Sequence, residues 1–304
     1  MKTTIMFIIF LIVFSCFLSP VLAEVTSISD FQIVKENDAI IKRVHARNGY
    51  IMGIPPYWGR EITRKGFEPF VEFLGKLLER EIVLVILKDY NQTIKRTVAE
   101  QIDIGFYGPV LYLDTKKTYP GLRYVGTAVL KNTGNFRYYS YLISRKDSGI
   151  KRISDLKGKS FAFGSKESTS GYMYPLAWMK ENNLDYTTYF NSIRFLGSHN
   201  QVLKSVATGD VDSGVVSPTP LNEALKQYGD VFYRMRKFGP IPASVLACGK
   251  KIPEKSIKRI QGAMDPLPIE ISKYKQFKFM AFKKLSDSAY DQMRKVIQIS
   301  RKYK

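Results

Sequence analysis

The first half of the chain alternates short apolar runs with segments in which apolar residues recur every three to four positions. The run Tyr50–Ile54 predicts a strand, and the spacing over residues 66–78 predicts an amphipathic helix. The continuous aliphatic run 82–87 is typical of a strand that is buried on both faces. Asn91 then predicts the cap of a second helix, and residues 102–106 predict a third strand.

The second half of the chain repeats this order of elements. Short apolar runs predict strands at 160–163, 193–195 and 211–216, and helical spacing predicts helices at 173–181 and 201–208. A strand, helix, strand order produces a parallel sheet with helices on its faces. The pattern therefore predicts an α/β protein.

A fragment of the residue sequence is repeated as well. Five identical residues recur at a constant offset of 109 positions: Asn91/Asn200, Gln92/Gln201, Lys95/Lys204, Asp103/Asp212 and Gly105/Gly214. Together with the shared order of elements, this repeat predicts two similar α/β lobes instead of one large sheet. Two lobes leave a cleft between them, and ligands of open α/β sheets bind at the carboxyl ends of the strands.

The composition argues against several classes of protein. With 304 residues, of which 45% are hydrophobic, the chain can bury the core of about two domains and is not expected to be disordered. Two cysteines cannot form a disulfide scaffold, and Cys248 is expected to be a small buried residue. The net charge of +20 favours an anionic partner, such as nucleic acid, an acidic membrane or a small anion, and a solvated basic face is the alternative.

The first 23 residues are typical of a secretory signal peptide. Lys2 precedes an apolar run over residues 5–18, and small residues precede a predicted cut before Glu24. The run is shorter than the ~20 residues of a membrane-spanning helix, and a retained anchor is the alternative. Residues 13–16 also loosely resemble a lipoprotein cleavage box, in which Cys16 would carry the lipid, but ordinary cleavage is favoured. We therefore expect a periplasmic protein.

The strongest candidate for a binding site is the segment that follows the strand 160–163. It contains Ser168, Thr169, Ser170 and Gly171, and a helix is predicted to begin at Met173. The first N–H groups of a helix lack internal partners and carry a partial positive charge, so they can hold an anion. The hydroxyls add donors, and the glycine allows close approach. A single N-cap serine would explain one of these hydroxyls but not three.

This segment resembles the phosphonate, phosphite and phosphate family of periplasmic substrate-binding proteins of ABC transporters. The similar stretches are 153–175, Asp89-Tyr90 and 103–109, and the similarity extends over roughly residues 48–250. The family implies a type 2 periplasmic-binding fold, with two α/β lobes around a ligand cleft joined by two crossover strands. The implied division is a signal peptide at 1–23, lobe one at 24–136 and 245–304, and lobe two at 137–244.

The resemblance implies six ligand-binding residues: Ser168, Thr169, Ser170, Tyr90, Tyr107 and His199. The three hydroxyl residues would hold an oxyanion from lobe two, and the two tyrosines would close over it from lobe one. The histidine would add a polar contact, with a capping or core role as the alternative. The implied partners are a small oxyanion and an ABC permease in the inner membrane, with no cofactor, no metal and no nucleic acid, and the protein would act as a monomer.

The chain departs from the family pattern where some members hold an ammonium group. Members that bind aminoalkylphosphonates use acidic residues after the lobe-two strand and at the return crossover. The corresponding segments here, 217–220 and 241–244, contain no carboxylate. A buried ammonium without a counter-charge is strongly disfavoured. The sequence therefore predicts capture of phosphate, phosphite or a simple alkylphosphonate, without catalysis.

The sequence leaves three alternative functions. An anion sensor or adaptor would use the same ligand chemistry to signal to a membrane partner. A hydrolase would pair a serine with His199, but a nucleophile also needs an oriented base and an oxyanion site, and the Gly-x-Ser-x-Gly motif is absent around these serines. Nucleic-acid binding would rest on net charge alone.

Overall fold

The structure, a computed structural model, describes residues 19–302 and the side chains from residue 32 onward. The apolar run of the predicted signal peptide and Cys16 lie outside the described residues. The first helix, α1, extends over Ser19–Ala46, so the predicted cut before Glu24 falls within it. Between residues 19 and 302, no helix is long and apolar enough to cross a membrane.

The described chain folds into two α/β lobes, as the sequence predicted. The strands are β1 Tyr50–Ile54, β2 Ile82–Ile86, β3 Ile104–Tyr107, β4 Arg123–Leu130, β5 Arg137–Arg145, β6 Ser160–Phe163, β7 Ser192–Phe195, β8 Ser213–Val216, β9 Phe232–Pro242, β10 Val245–Cys248 and β11 Phe279–Lys283. The helices after α1 are α2 Arg60–Leu78, α3 Tyr90–Val98, α4 Pro109–Thr118, α5 Tyr174–Glu181, α6 Tyr186–Tyr189, α7 His199–Thr208, α8 Pro218–Tyr228, α9 Glu254–Gly262, α10 Ile269–Ser272 and α11 Asp291–Arg301.

Each lobe is built on its own sheet. The first has six strands in the order β11-β4-β10-β3-β1-β2, and the second has five in the order β7-β6-β8-β5-β9. The chain leaves the first sheet after β4 and returns to it after β9. The two strands at this junction, β5 and β9, pair antiparallel from Arg137↔Pro242 to Arg145↔Phe232. This pairing holds the two passages between the lobes side by side.

The offset of 109 positions relates the frameworks of the two lobes. Strand β1 pairs with β3 through Met52↔Ile104, and β6 pairs with β8 through Phe161↔Ser213, which is the same pairing 109 positions later. An aspartate serves each pair in the same way, and it is buried in the first lobe and partly buried in the second. Asp103 accepts the N–H of Ile51 at 2.8 Å, and Asp212 accepts the N–H of Ser160 at 2.8 Å.

Amphipathic helices pack on these sheets as their spacing predicts. On α2, the side chains of Phe67, Phe70 and Leu74 are fully buried against the first sheet. The helix begins at Arg60, however, several residues before the predicted start. The helical segment before β1 was not predicted, although Ile41 and Val44 of α1 are buried in the same lobe.

Two predicted helix starts need correction. Asn91 does not cap α3, because Asp89 is the N-cap and accepts the N–H of Gln92 at 2.7 Å. The helix predicted from Met173 is preceded by a wide π-type turn over Thr169–Met173. The segment predicted to bind an anion is therefore itself a helical turn.

The C-terminal helix α11 departs from the expected division of the chain, which placed it in lobe one. Its buried Met293 joins the hydrophobic cluster of lobe two, and Ser300 Oγ donates to the carbonyl of Met173 at 2.7 Å. Arg301 also binds Asp114 of α4, with an Nη1–Oδ1 distance of 2.9 Å. Helix α11 therefore contacts both lobes.

The paired aspartates make a first prediction. Asp103→Ala leaves the buried N–H of Ile51 without an acceptor, and we expect the free energy of unfolding to fall by about 2 kcal/mol. Asp212→Ala should cost about 1 kcal/mol, because the N–H of Ser160 is only partly buried and water can reach it. Urea unfolding would measure the loss. Asp210→Ala, at an exposed aspartate, serves as the control and should change stability by less than ~0.5 kcal/mol. Losses no larger than that of the control would contradict the role of the pair.

Candidate functional site

A cavity of about 70 Å³ lies between the two lobes, at the carboxyl ends of β1, β3, β6 and β8. This position agrees with the rule for ligand sites in open α/β sheets. A water molecule needs ~10–15 Å³ by such a measure, so the cavity has room for several waters or a small anion.

Helices from both lobes begin at this cavity. Helices α3 and α7 start at Tyr90 and His199, and the residues just before α4 and α8 are Gly108 and Ser217; all four residues line the cavity. Helices α4 and α8 each carry proline at the first position, where its missing N–H has no helical partner to lose. The offset of 109 positions relates the start of α3 to that of α7, and the start of α4 to that of α8. Their partial positive charges add up at one place.

The three predicted hydroxyl residues, Ser168, Thr169 and Ser170, all line the cavity and are at most 5% exposed. Ser168 caps the π-type turn, since its Oγ accepts the N–H of Gly171 at 3.0 Å. Ser170 Oγ lies 3.3 Å from His199 Nε2. The hydroxyls of Ser168 and Ser170 therefore each have a protein partner, and each keeps further hydrogen-bonding capacity for a ligand.

Thr169 also joins the lobes. Its Oγ1 accepts the N–H of Val110, in the first turn of α4, at 3.0 Å. A second direct contact between the lobes lies nearby, because the side-chain amide of Asn200 donates to the carbonyl of Trp58 at 2.6 Å. These bonds require the two lobes to be closed on each other, so the cavity is the closed form of the cleft.

Three tyrosines line the cavity: Tyr90, Tyr138 and Tyr57. Burial raises the pKa of Tyr138 to about 12, although the Ser170 hydroxyl beside it opposes the rise. Burial likewise raises the pKa of Tyr90, with the Ser168 hydroxyl opposing, and the pKa of Tyr57. All three phenols therefore stay protonated at neutral pH, and those of Tyr90 and Tyr138 can donate hydrogen bonds to an anion.

The expectation for Tyr107 needs correction. Its side chain is fully buried, does not line the cavity, and places its hydroxyl 3.0 Å from Thr97 Oγ1. Successive side chains of a strand point to opposite faces, and in β3 it is Phe106 that faces the cavity. Tyr57, which sequence reasoning missed, supports this strand end: its hydroxyl donates to the carbonyl of Phe106 at 3.1 Å and accepts the N–H of Gly108 at 2.7 Å.

The cavity has features that sequence reasoning did not identify. Tyr57 and Trp58 directly follow the two prolines after β1, and Tyr138 lies in the strand that crosses between the lobes. Aromatic residues at the carboxyl end of a predicted parallel strand were the available signal. Nothing local to Tyr138 in the sequence indicates its position.

His199 is buried in the cavity wall. Burial lowers its pKa to about 4, so the ring is neutral at pH 7. Its Nδ1 lies 3.3 Å from the backbone nitrogen of Ser217, and its Nε2 faces Ser170. A hydrolytic histidine needs a pKa near the working pH and an orienting partner such as a carboxylate. His199 has neither feature here, which argues against its use as a general base.

The residues that line the cavity carry no formal charge. Within the described part of the chain, no lysine, arginine, aspartate or glutamate borders it. The lining also includes the apolar side chains of Phe106, Leu130, Ala243 and Phe279. Among the described residues, no group of three or more metal-ligating side chains could hold a metal ion. The site thus combines neutral hydrogen-bond donors with apolar side chains.

Comparison with known proteins gives a family match. Residues 52–290 match the family model described as the phosphonate periplasmic substrate-binding protein of an ABC transporter. The chain is 26% identical over 176 residues to the phosphate-import protein PhnD of Mycolicibacterium smegmatis, covering 55% of this chain and 54% of that protein. It is 21% identical over 182 residues to a probable ABC transporter phosphite binding protein, PhnD1, of Prochlorococcus marinus, covering 58% and 60%. The chain thus spans little more than half the length of these relatives.

Solved structures share the fold. A binding-protein component of an ABC phosphonate transporter from Pseudomonas aeruginosa superposes with a TM-score of 0.76 at 19% identity, covering 83% of this chain and 86% of the other. PhnD1 from Prochlorococcus marinus in complex with methylphosphonate superposes with a TM-score of 0.73 at 18% identity, covering 81% of this chain and 96% of the other. These likenesses confirm the predicted type 2 periplasmic-binding fold.

The buried histidine makes a prediction about stability and pH. Its folded pKa of about 4 lies below the ~6.5 of an unfolded histidine, so the unfolded chain takes up the proton first. Its contribution to stability is complete above pH ~6.5 and is lost as the pH falls toward 4, by about 3 kcal/mol in total. Urea unfolding at pH 7.5 and 4.5 should therefore show a smaller loss for His199→Gln than for the parent. Equal losses would contradict the assignment.

Proposed function

The chain belongs to the family of periplasmic substrate-binding proteins of phosphonate ABC transporters, and on that premise we propose that it captures a small phosphorus oxyanion for an ABC importer. The ligand would be phosphate, phosphite or a simple alkylphosphonate. The relatives it matches are binding proteins of transport systems. We further propose a periplasmic location, action as a monomer, a membrane permease as the partner, and no catalysis.

One observation carries the proposal. Four helices and a π-type turn begin at one small buried cavity, and the cavity adds the hydroxyls of Ser168 and Ser170 and the phenols of Tyr90 and Tyr138. All of these groups can donate hydrogen bonds. A tetrahedral oxyanion has several acceptor oxygens and no need for a protein acceptor. Donors at helix starts are also aided by the helix dipoles, so they suit an anion better than a neutral ligand.

Capture would proceed by closure of the lobes. In the open form the oxyanion meets the segment 168–171 of lobe two. Closure then brings Tyr90 and the start of α4 over it, and Thr169 bonds Val110 across the cleft. Exclusion of water strengthens the hydrogen bonds to the charged ligand. Opening returns water to these donors, so the same site can release its ligand.

Apolar side chains in the lining suit the groups that distinguish the three ligands. Leu130, Ala243 and Phe279 line the cavity together with the hydroxyls. An alkyl group or a P–H bond can contact them without losing a hydrogen bond. The names of the relatives include a phosphate-import protein, a phosphite binding protein and a complex with methylphosphonate, so they cover all three ligands.

The hydroxyl donors give a direct test. Ser168→Ala and Ser170→Ala should each weaken binding of the tightest ligand among phosphate, phosphite and methylphosphonate by about 1.5–3 kcal/mol, or ~10- to 150-fold in Kd, because each removes a hydrogen bond to a charged group. Isothermal titration calorimetry on the folded variants would measure this.

Tyr107→Phe is the matched control. It also removes one buried hydroxyl, but the hydroxyl of Tyr107 contacts Thr97 within lobe one and does not line the cavity. Its affinity should equal that of the parent. Unchanged affinity in both serine variants, or no binding of any of the three anions to the parent, would contradict the proposal.

The absence of a lining carboxylate predicts a preference between two ligands of equal size. Propylphosphonate and 2-aminoethylphosphonate differ by a methyl group in place of an ammonium. Because no described carboxylate borders the cavity, the ammonium would be buried without a counter-charge, and we expect it to bind on the order of 100-fold more weakly. Competition calorimetry would compare them. Equal affinities would show that the ammonium finds a counter-charge in the closed protein.

A further inference from the structure

A second cavity, of about 530 Å³, opens beside the first and is strongly basic. We call it the basic pocket. It is bordered by four lysines and one glutamate, a net charge of +3, together with neutral polar residues. The charged residues are Lys131, Lys226, Lys275, Lys278 and Glu223.

The basic pocket adjoins the central cavity along three elements. Thr219, in the first turn of α8, borders both cavities. Leu130 and Phe279 line the central cavity, and their chain neighbours Lys131 and Lys278 line the basic pocket. The two cavities are therefore adjacent parts of one cleft, with the uncharged part inside and the charged part next to it.

The single glutamate does not neutralise the pocket. Glu223 forms an ion pair with Lys278 of the other lobe and another with Lys226 of its own helix, each at 3.1 Å. The ammonium of Lys131 donates to a neutral group, the carbonyl of Tyr274, at 2.9 Å. Burial and the nearby charge of Lys278 both lower the pKa of Lys131. Positive charge is thus concentrated in a concave surface, where field lines are focused and anions are drawn in.

We propose that the basic pocket is an entry vestibule that collects oxyanions and speeds their association with the central cavity. This inference rests on the proposed function. It assigns different tasks to the two cavities: the uncharged cavity holds the anion, and the basic pocket sets how fast the anion arrives. A charge that acts at a distance in this way changes the association rate constant kon much more than the dissociation rate constant koff.

Stopped-flow fluorescence can separate the two rate constants, since Trp58 lines the central cavity and reports on binding there. The probes are methylphosphonate and inorganic phosphate. Lys226→Gln with Lys275→Gln alters two exposed lysines and reduces the pocket to a net charge of +1. At an ionic strength of ~10 mM we expect kon to fall on the order of tenfold, and at ~150 mM by much less, because the Debye length shortens from ~30 Å to ~8 Å. The value of koff should not change.

Two further variants complete the test. The control is Lys157→Gln with Lys159→Gln, which removes the same charge from two exposed lysines. These lysines precede β6, and the cavity lies at the other end of that strand. The control should leave kon unchanged. Glu223→Gln raises the charge of the pocket and should raise kon, whereas a purely structural role of the Glu223–Lys278 pair would move only koff. A kon that is insensitive to the pocket variants, or equally sensitive to the control, would overturn the vestibule while leaving anion capture intact. Failure of the parent to bind either probe would overturn both.

Discussion

The proposed site depends on backbone N–H groups that no carbonyl of their own helix can reach. Each lobe directs the starts of two helices to the same small space, and lobe two adds the π-type turn over Thr169–Met173. The donors at a helix start cannot be satisfied within the helix. Side chains accept several of them, as Thr169 Oγ1 accepts the N–H of Val110 and Ser168 Oγ accepts that of Gly171. Donors without such a partner need water or a ligand that supplies acceptors. Under the proposed function, closure of the lobes would place an oxyanion where it can accept from them.

The repeat of 109 positions explains how two lobes come to present equivalent groups. Asp103 and Asp212 fix the strand pairs that lie beneath the site, each by accepting a backbone N–H. Tyr90 and His199 then occupy equivalent positions at the first residue of α3 and α7. The framework is shared while the side chains at the cleft differ. Lobe one contributes a phenol donor, and lobe two contributes a neutral imidazole beside Ser170.

Much of this framework could be predicted from the sequence, because burial follows periodicity. The spacing on α2 indicates its buried face, and the cluster of small hydroxyl residues indicates the anion site. Tyr107 could not be placed correctly, since a difference of one position along β3 decides which face a side chain occupies, and Phe106 takes the cavity face. Tyr138 approaches the site only through the pairing of β5 with β9. The amphipathic pattern of α11 likewise shows a buried face but not the lobe that covers it.

The charges of this protein, with a net charge of +20, lie outside the central cavity, since no described charged side chain borders it. Under the proposed function, a lysine buried in the cavity would be left without a counter-charge whenever the anion left, and it would hold the anion too firmly for release on opening. Neutral donors would avoid both costs, because water would replace the ligand at each of them. They attract an anion only over short distances, however, since dipole fields fall off within about a turn of the helix. Charges such as Lys131 and Lys278, one residue outside the cavity wall, act over longer distances and remain partly exposed to solvent. Affinity and rate of capture would then be set by different residues of the same cleft.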